Sequence, residues 1–337
     1  MRRLNLVKVL VTGATGFVGR KLIPRILEEG YEVVALVRST SNIEGLPKHV
    51  EIREADLLDI TTIEAVIQDI DVVIHLAAYF DFYPSSVELM YKVNVEGTRN
   101  LMSACIGTKV ERFIYCSSTE AMGPVRFPPG NEDTELNPSF EYGHSKVLAE
   151  QAVREITKDT KLDHIILRPT GIMGEGDLYT AFEAIEAVND GAIPVLPGDG
   201  NKGLMYTHVD DVVEGFVKAL TSKSALNNTI ILCPDEGLTY NELFEYVAEC
   251  CGVKPPKRKI PTKIAKLGIG LLSPIKNRRK TTFLWHMKTV QSMDEDRIYS
   301  NSKAKRILGW CPNVTMKDGL KRAIDWYFEN NFLKKRS

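Results

Sequence analysis

The stretch VKVLVTGATGFVG, residues 7–19, decides how this chain folds. Apolar, mostly β-branched residues run up to Thr12, and Gly13, Gly16 and Gly19 follow in a G-x-x-G-x-x-G pattern as an amphipathic stretch, 17–29, begins. Glycines at such a corner let the backbone turn tightly and approach a pyrophosphate closely. The first N–H groups of the helix, with its dipole, stabilise the negative charge. The loop with its neighbours Thr15, Phe17 and Val18 is therefore a candidate dinucleotide cradle, the alternative being an ordinary glycine-rich turn.

Short apolar runs recur along the chain at 31–38, 50–55, 71–78, 112–118, 163–169 and 228–233. Their hydrophobicity is continuous rather than alternating, which suits strands covered on both faces. Helix-length stretches at 17–29 and 87–106 separate some of them and end at Gly30 and Gly107, residues suited to closing a helix. Alternation of this kind predicts an α/β fold, a Rossmann-type doubly wound parallel sheet. After about residue 170 the pattern loosens, and this part is expected to form a smaller C-terminal substrate-binding lobe.

A sheet domain selecting NAD usually ends its second strand with Asp or Glu for the ribose 2′-hydroxyl. Here that strand ends ALVRSTSN, with Arg38 in the acid's place. A guanidinium suits a 2′-phosphate, so NADP(H) is the preferred expectation. Were Arg38 to stack on adenine or face solvent, NAD(H) remains open. Asp56, after the third strand, suits the adenine amino group or equally a helix N-cap. The small residues of HLAA, 75–78, would let a cofactor pass close to the backbone.

Composition bounds the rest. The 337 residues are 44% hydrophobic, enough for one large α/β unit or two domains sharing an interface. No apolar run approaches the roughly 18–20 residues that span a bilayer, and the expected compartment is the cytoplasm. Six scattered cysteines show no zinc-ligand spacing, so no metal is expected and the thiols read as reduced. The net charge is −1, but residues 254–288 hold eleven Lys or Arg and no Asp or Glu. That run suits an anionic partner such as a membrane surface, or simply a solvated basic face. Within it, 264–275 is apolar but too short to span, which predicts an interfacial or substrate-covering helix. No nucleic-acid-binding motif is present.

YGHSK, 142–146, sets Tyr142 and Lys146 four residues apart on one helical face. A phenol titrates near pH 10, and a neighbouring cation lowers that value toward the range of a useful base. In RFIYCSSTEAMG, Ser117 and Ser118 follow an apolar strand, where a hydroxyl suits a substrate oxygen or else caps a loop. Tyr79, Phe80, Phe82 and Tyr83 follow the fourth strand and either line an apolar pocket or pack beneath the loop. Glu120 and its neighbour Thr119 lie beside the serine, with Glu120 facing the cleft or solvated at its edge.

In TGATGFVG (12–19), ADL (55–57), HLAA (75–78), NVEGTRN (94–100), CSS (116–118), YGHSK (142–146), RPTGIMG (168–174) and HVDDVVEG (208–215) the chain resembles the extended short-chain dehydrogenase/reductase, or NAD-dependent epimerase/dehydratase, family. Its nearest likeness is to the branch of dihydroflavonol-reductase-like, 3β-hydroxysteroid-dehydrogenase-like and hopanoid-associated epimerase-like proteins. The resemblance implies that Tyr142 is the acid/base and that Lys146 lowers its pKa and holds ribose. Ser118 would polarise the substrate oxygen and Asn94 would support a proton relay. Leu57 would lie beside adenine, Pro169 and Ile172 along the nicotinamide, and Leu76, Ala77, Ala78 and Ser117 against the cofactor. Tyr79, Phe82, Thr119 and Glu120 are the substrate-facing candidates. The implied dinucleotide-binding domain is 1–170 plus about 205–235, with 171–204 and 236–337 covering a small-molecule substrate. A homodimer through 87–106 and 142–158 is the assembly the resemblance implies. Two reactions follow: a net oxidoreductase on a hydroxyl or carbonyl carbon, preferred because of Arg38, and a nucleotide-sugar epimerase or dehydratase with tightly held NAD.

Overall fold

Strand β1 (Lys8–Thr12) pairs with β2 (Glu32–Val37) on one side and β4 (Val72–His75) on the other, both in parallel. In the computed structural model, which describes residues 7–193, 195–272 and 287–335, β3 (Glu51–Glu54), β5 (Arg112–Cys116), β6 (Asp163–Pro169) and the strand Asn228–Leu232 complete a seven-stranded sheet. Its order is Asn228–Leu232, β6, β5, β4, β1, β2, β3. The chain reverses direction of winding between β1 and β4, and the loops leaving these two strands open a crevice at their carboxyl ends.

Continuous hydrophobicity follows from burial on both faces, except in edge strand β3, which is largely exposed although the run 50–55 predicts a covered strand. Val9 and Val11 pack with helix α1 (Phe17–Glu28) and helix Val209–Thr221, while Leu10 between them packs with Leu101, Ala149 and Val153 of the opposite helices. Gly30 and Gly107 have φ of +84° and +78°, the left-handed conformation glycine adopts without penalty. The expected helix 87–106 is broken into Val87–Tyr91, a π-helical stretch Lys92–Glu96 and Gly97–Cys105. Sequence periodicity does not register the one extra residue of such a turn.

The C-terminal part has its own core, in which helices Phe182–Asn189, Tyr240–Cys251 and Met316–Glu329 bury Ile185, Phe244, Leu320 and Tyr327. A capping box between Thr239 and Glu242 starts the second of these, and Gly252 ends it. The apolar segment at 264 forms helix Thr262–Leu272, with Ile264 and Leu267 exposed. Residues 273–286, including Lys276, Arg278, Arg279 and Lys280 of the basic run, lie outside the described residues. Among the described residues no helix is long and apolar enough to cross a membrane.

Two buried histidines tie the sheet to its helices. His75 joins Thr12 Oγ1 at 2.7 Å and Thr98 Oγ1 at 3.0 Å, and His164 joins Thr157 Oγ1 at 2.8 Å. Burial, reinforced by Lys146 and Arg154 respectively, pushes them down to about 3 and about 4 from the ordinary 6.5. The unfolded chain therefore binds protons first as pH falls. The stability these groups contribute is whole above pH 6.5 and is lost progressively below it, at up to about 1.4 kcal/mol per pH unit for each. Urea denaturation should accordingly show a lower midpoint at pH 5 than at pH 7, and replacing His75 with Gln should flatten the difference. A midpoint independent of pH over that range would contradict the assignment.

Candidate active site

The crevice between the two lobes holds a cavity of about 630 Å³, lined on one side by the glycine loop and on the other by aromatic residues of both lobes. Gly13, Thr15, Gly16, Phe17, Val18 and Gly19 all face it, as do Leu76, Ala78, Ser117, Pro169 and Ile172. Helix α1 starts at Gly16 with no side-chain cap and no acidic residue in its first turn, so its leading N–H groups are left for an anion. A Cβ on Gly19 would lie 2.3 Å from the Gly13 carbonyl oxygen, and one on Gly13 would lie 2.8 Å from the Ala77 nitrogen. The loop is thus compressed between its own helix and the end of β4, and these residues fit a dinucleotide phosphate. Ala77 takes part from behind, its N–H donating to Thr12 Oγ1 at 3.1 Å.

Of the expected cofactor contacts, Arg38, Asp56 and Leu57 lie outside the cavity lining, and Ser117 is engaged elsewhere. Arg38 is exposed at the end of β2, its backbone N–H donating to Ser41 Oγ. Asp56 is exposed as well. It accepts from the Leu58 N–H at 2.9 Å, and the N-cap role falls to Asp59, which accepts from Thr61. Leu57 is buried in the core against Gly97. Ser117 faces the cavity, but its hydroxyl donates to buried Glu150 at 2.6 Å, which Arg168 also holds.

Tyr142 and Lys146 lie in the first turns of helix Glu141–Lys158, buried on its cleft side. Ser118 precedes the short turn Thr119–Ala121, and its Oγ accepts from the Glu120 N–H at 3.1 Å. It therefore caps the turn and still has its hydroxyl proton to give. What brings helix and turn together is Gly143, where a Cβ would stand 2.3 Å from the Glu120 carbonyl oxygen. Among the described residues no hydrogen bond engages the Tyr142 hydroxyl. Phe80 meets the Tyr142 ring edge-on at 4.9 Å, and Phe82 does so at 6.5 Å.

Burial is the largest influence on the Tyr142 hydroxyl. It raises the pKa well above 10, with smaller contributions from Cys116 and Glu120. Lys146 Nζ stands 5.6 Å from the ring centroid and donates to the Cys116 carbonyl at 2.7 Å and Tyr115 Oη at 3.3 Å. Burial lowers Lys146 to about 8.

Asn94, expected in a proton relay, lies outside the cavity lining. Its carboxamide accepts from the Tyr79 N–H at 2.7 Å and donates to the Tyr79 carbonyl and Ser145 Oγ. It ties the loop after β4 to helix Glu141–Lys158, since Ser145 in turn donates to the Tyr142 carbonyl. Tyr79, a substrate candidate, turns away to Ser85 Oγ at 3.3 Å. Phe80, Phe82 and Tyr83 line the cavity in its place, so the aromatic run both lines a pocket and packs. Thr119 and Glu120 face the cavity, and Glu120 is not solvated at the edge: both its oxygens accept from Arg297.

Sequence reading missed two arginines. Arg20, directly after the third glycine, faces the cavity and donates to the carbonyls of Thr15, Asn42 and Glu44. Its place beside the glycine loop was the available signal. Arg297, 177 residues from Glu120, offered none.

The family model for the NAD dependent epimerase/dehydratase family matches residues 9–233. The chain belongs to that family. It is 27% identical to a 3-beta-hydroxysteroid dehydrogenase of Mycolicibacterium neoaurum over 96% of this chain and 92% of that one. The crystal structure of gox2253 superposes with a TM-score of 0.82 at 32% identity, covering 98% and 100% of the two chains. UDP-glucose 4-epimerase of Thermotoga maritima, solved with UDP-glucose, gives 0.76 at 25% identity over 96% and 100%. The family is thus an NAD-dependent enzyme family whose members include both oxidoreductases and epimerases.

The contact at Gly143 is directly testable. Gly143→Ala should destabilise the protein by about 1–3 kcal/mol, as overpacking does, and lower kcat while leaving cofactor affinity within about twofold. Wild-type melting and turnover in this variant would show that the approach of helix to turn does not set the site.

Proposed function

We propose that the protein is an NADP(H)-preferring oxidoreductase that transfers a hydride to or from a hydroxyl or carbonyl carbon of a small, partly apolar molecule. The observation that carries this reading is the Tyr142 hydroxyl, unengaged among the described residues, in one cleft with Ser118 and the open N-terminus of α1. Gly13, Gly16, the α1 N–H groups, Pro169 and Ile172 would hold the dinucleotide, which when bound supplies or accepts the hydride. Lys146 would hold its ribose.

Ser118 donates its free hydroxyl proton to the substrate oxygen and so fixes it beside Tyr142. Because burial keeps the phenol protonated, Tyr142 gives its proton as negative charge develops on that oxygen; in the oxidative direction its phenolate form takes the proton from the substrate hydroxyl as the hydride leaves. The Lys146 ammonium, 5.6 Å from the ring, stabilises the resulting phenolate. Phe80 and Phe82 exclude water from the phenol, which strengthens each of these interactions.

Arg38 supports NADP(H): exposed, at the end of β2, with no described group holding its guanidinium, it suits a 2′-phosphate. The second reading, a nucleotide-sugar epimerase with retained NAD, draws support from the likeness to the Thermotoga maritima enzyme. Denaturing freshly purified protein and identifying any released dinucleotide separates them, with empty protein expected and stoichiometric NAD favouring the epimerase.

Tyr142→Phe should lower turnover by about 10²–10⁴-fold with cofactor binding preserved, and retained turnover would reject the acid/base role. Arg38→Ser should weaken NADPH about tenfold, within the range of a charge-assisted hydrogen bond, and leave NADH unchanged; equal loss for both would remove Arg38 from phosphate recognition.

A further inference from the structure

Glu120, two residues beyond Ser118, extends across the cleft to the other lobe. Nη1 of Arg297 donates to its two carboxylate oxygens at 2.9 and 3.0 Å. Nη2 of the same guanidinium donates to Glu295 Oε2 and to Ser139 Oγ, both at 3.3 Å. The guanidinium also lies 5.7 Å over the Phe140 ring, and the Arg297 N–H donates to the Gly203 carbonyl at 2.7 Å. The three charged side chains are 10%, 18% and 19% exposed for Arg297, Glu120 and Glu295. Burial alone would lower the Arg297 pKa, yet Glu120 leads a set of neighbours that raise it above the usual arginine value. The guanidinium is firmly charged and firmly taken.

An arginine in a cleft ordinarily holds a phosphate or carboxylate with paired N–H donors. Here two carboxylates share it, and the cluster carries a net charge of −1. Among the described residues lining the cavity, the other cations are Arg20 and Lys146, which belong to the glycine-loop and Tyr142 side. An anion entering the substrate half would have to displace Glu120 from the guanidinium, leaving a carboxylate of low exposure without its partner. An uncharged molecule meets no such barrier and finds Tyr206, Tyr240 and Tyr299 around the same cluster.

Resting on the hydride-transfer reading of the cleft, we propose that the Glu120–Arg297–Glu295 cluster determines specificity by excluding anionic ligands and selecting uncharged substrates with an apolar body. Glu120 and Arg297 thus act on substrate choice rather than on proton transfer. Among the described residues lining the substrate half, no cation is left free for the diphosphate of a nucleotide sugar.

The test is a binding measurement on cofactor-saturated protein and needs no turnover, so it can fail while the acid/base role of Tyr142 stands, and the reverse. The matched probes are 1-naphthol and 1-naphthyl phosphate, with UDP-glucose as a second anion. Wild type should bind the alcohol at least tenfold more tightly than the phosphate ester. Glu120→Gln with Glu295→Gln keeps the shapes and acceptor oxygens, frees the positive charge, and should narrow or invert that ratio while raising UDP-glucose affinity at least tenfold. Should this double variant fail to retain cofactor, Glu120→Gln alone carries the same comparison, with a gain of at least threefold expected. Wild type binding the ester as tightly as the alcohol, or a ratio unmoved in the cofactor-competent variant, overturns the proposal.

Discussion

The contact on which the rest of this site depends is the approach of Gly143 to the carbonyl of Glu120, so close that a Cβ would stand 2.3 Å from the oxygen. It presses the start of the long helix Glu141–Lys158 onto the turn after β5. Tyr142 precedes the glycine and Ser118 precedes the turn, so one backbone contact sets both. Glu120 then carries the constraint outward, since its side chain pairs with Arg297 in the other lobe. Packing without a Cβ, followed by an ion pair of low exposure, joins the surroundings of Tyr142 to the C-terminal part of the chain through a few residues.

Burial governs the charge states more than the neighbouring cation does. Lys146 is drawn off to the Cys116 carbonyl and down to about 8, while Tyr142 is raised well above 10. Both shifts share one cause, the loss of water around a group that would be charged. The tyrosine is held as the neutral phenol, and Phe80 and Phe82 of the loop after β4 cover its ring.

The glycine loop and end of β4 form the other half of the cleft by close packing. Gly13 lies against Ala77, Thr12 bonds both Ala77 and His75, and His75 reaches Thr98. Since His75 stays neutral, this chain of hydroxyls and imidazole is a rigid support and not a titrating relay. Asn94 serves similarly. Its carboxamide holds the Tyr79 backbone and Ser145, which fixes the loop after β4 against the helix.

Local patterns in the chain determined the sheet, the glycine cradle and the Tyr142/Lys146 face, because each depends on residues within a few positions of one another and on periods of two or 3.6. Ser118 was legible for the same reason. Tertiary structure alone decided that Tyr79 turns away while Phe80 covers the phenol, that Leu57 is core, and that Asp59 rather than Asp56 caps its helix. It also decided that Glu120 is paired, because its partner lies 177 residues away, and no local spacing encodes a bond between two elements that meet only when the lobes close on each other.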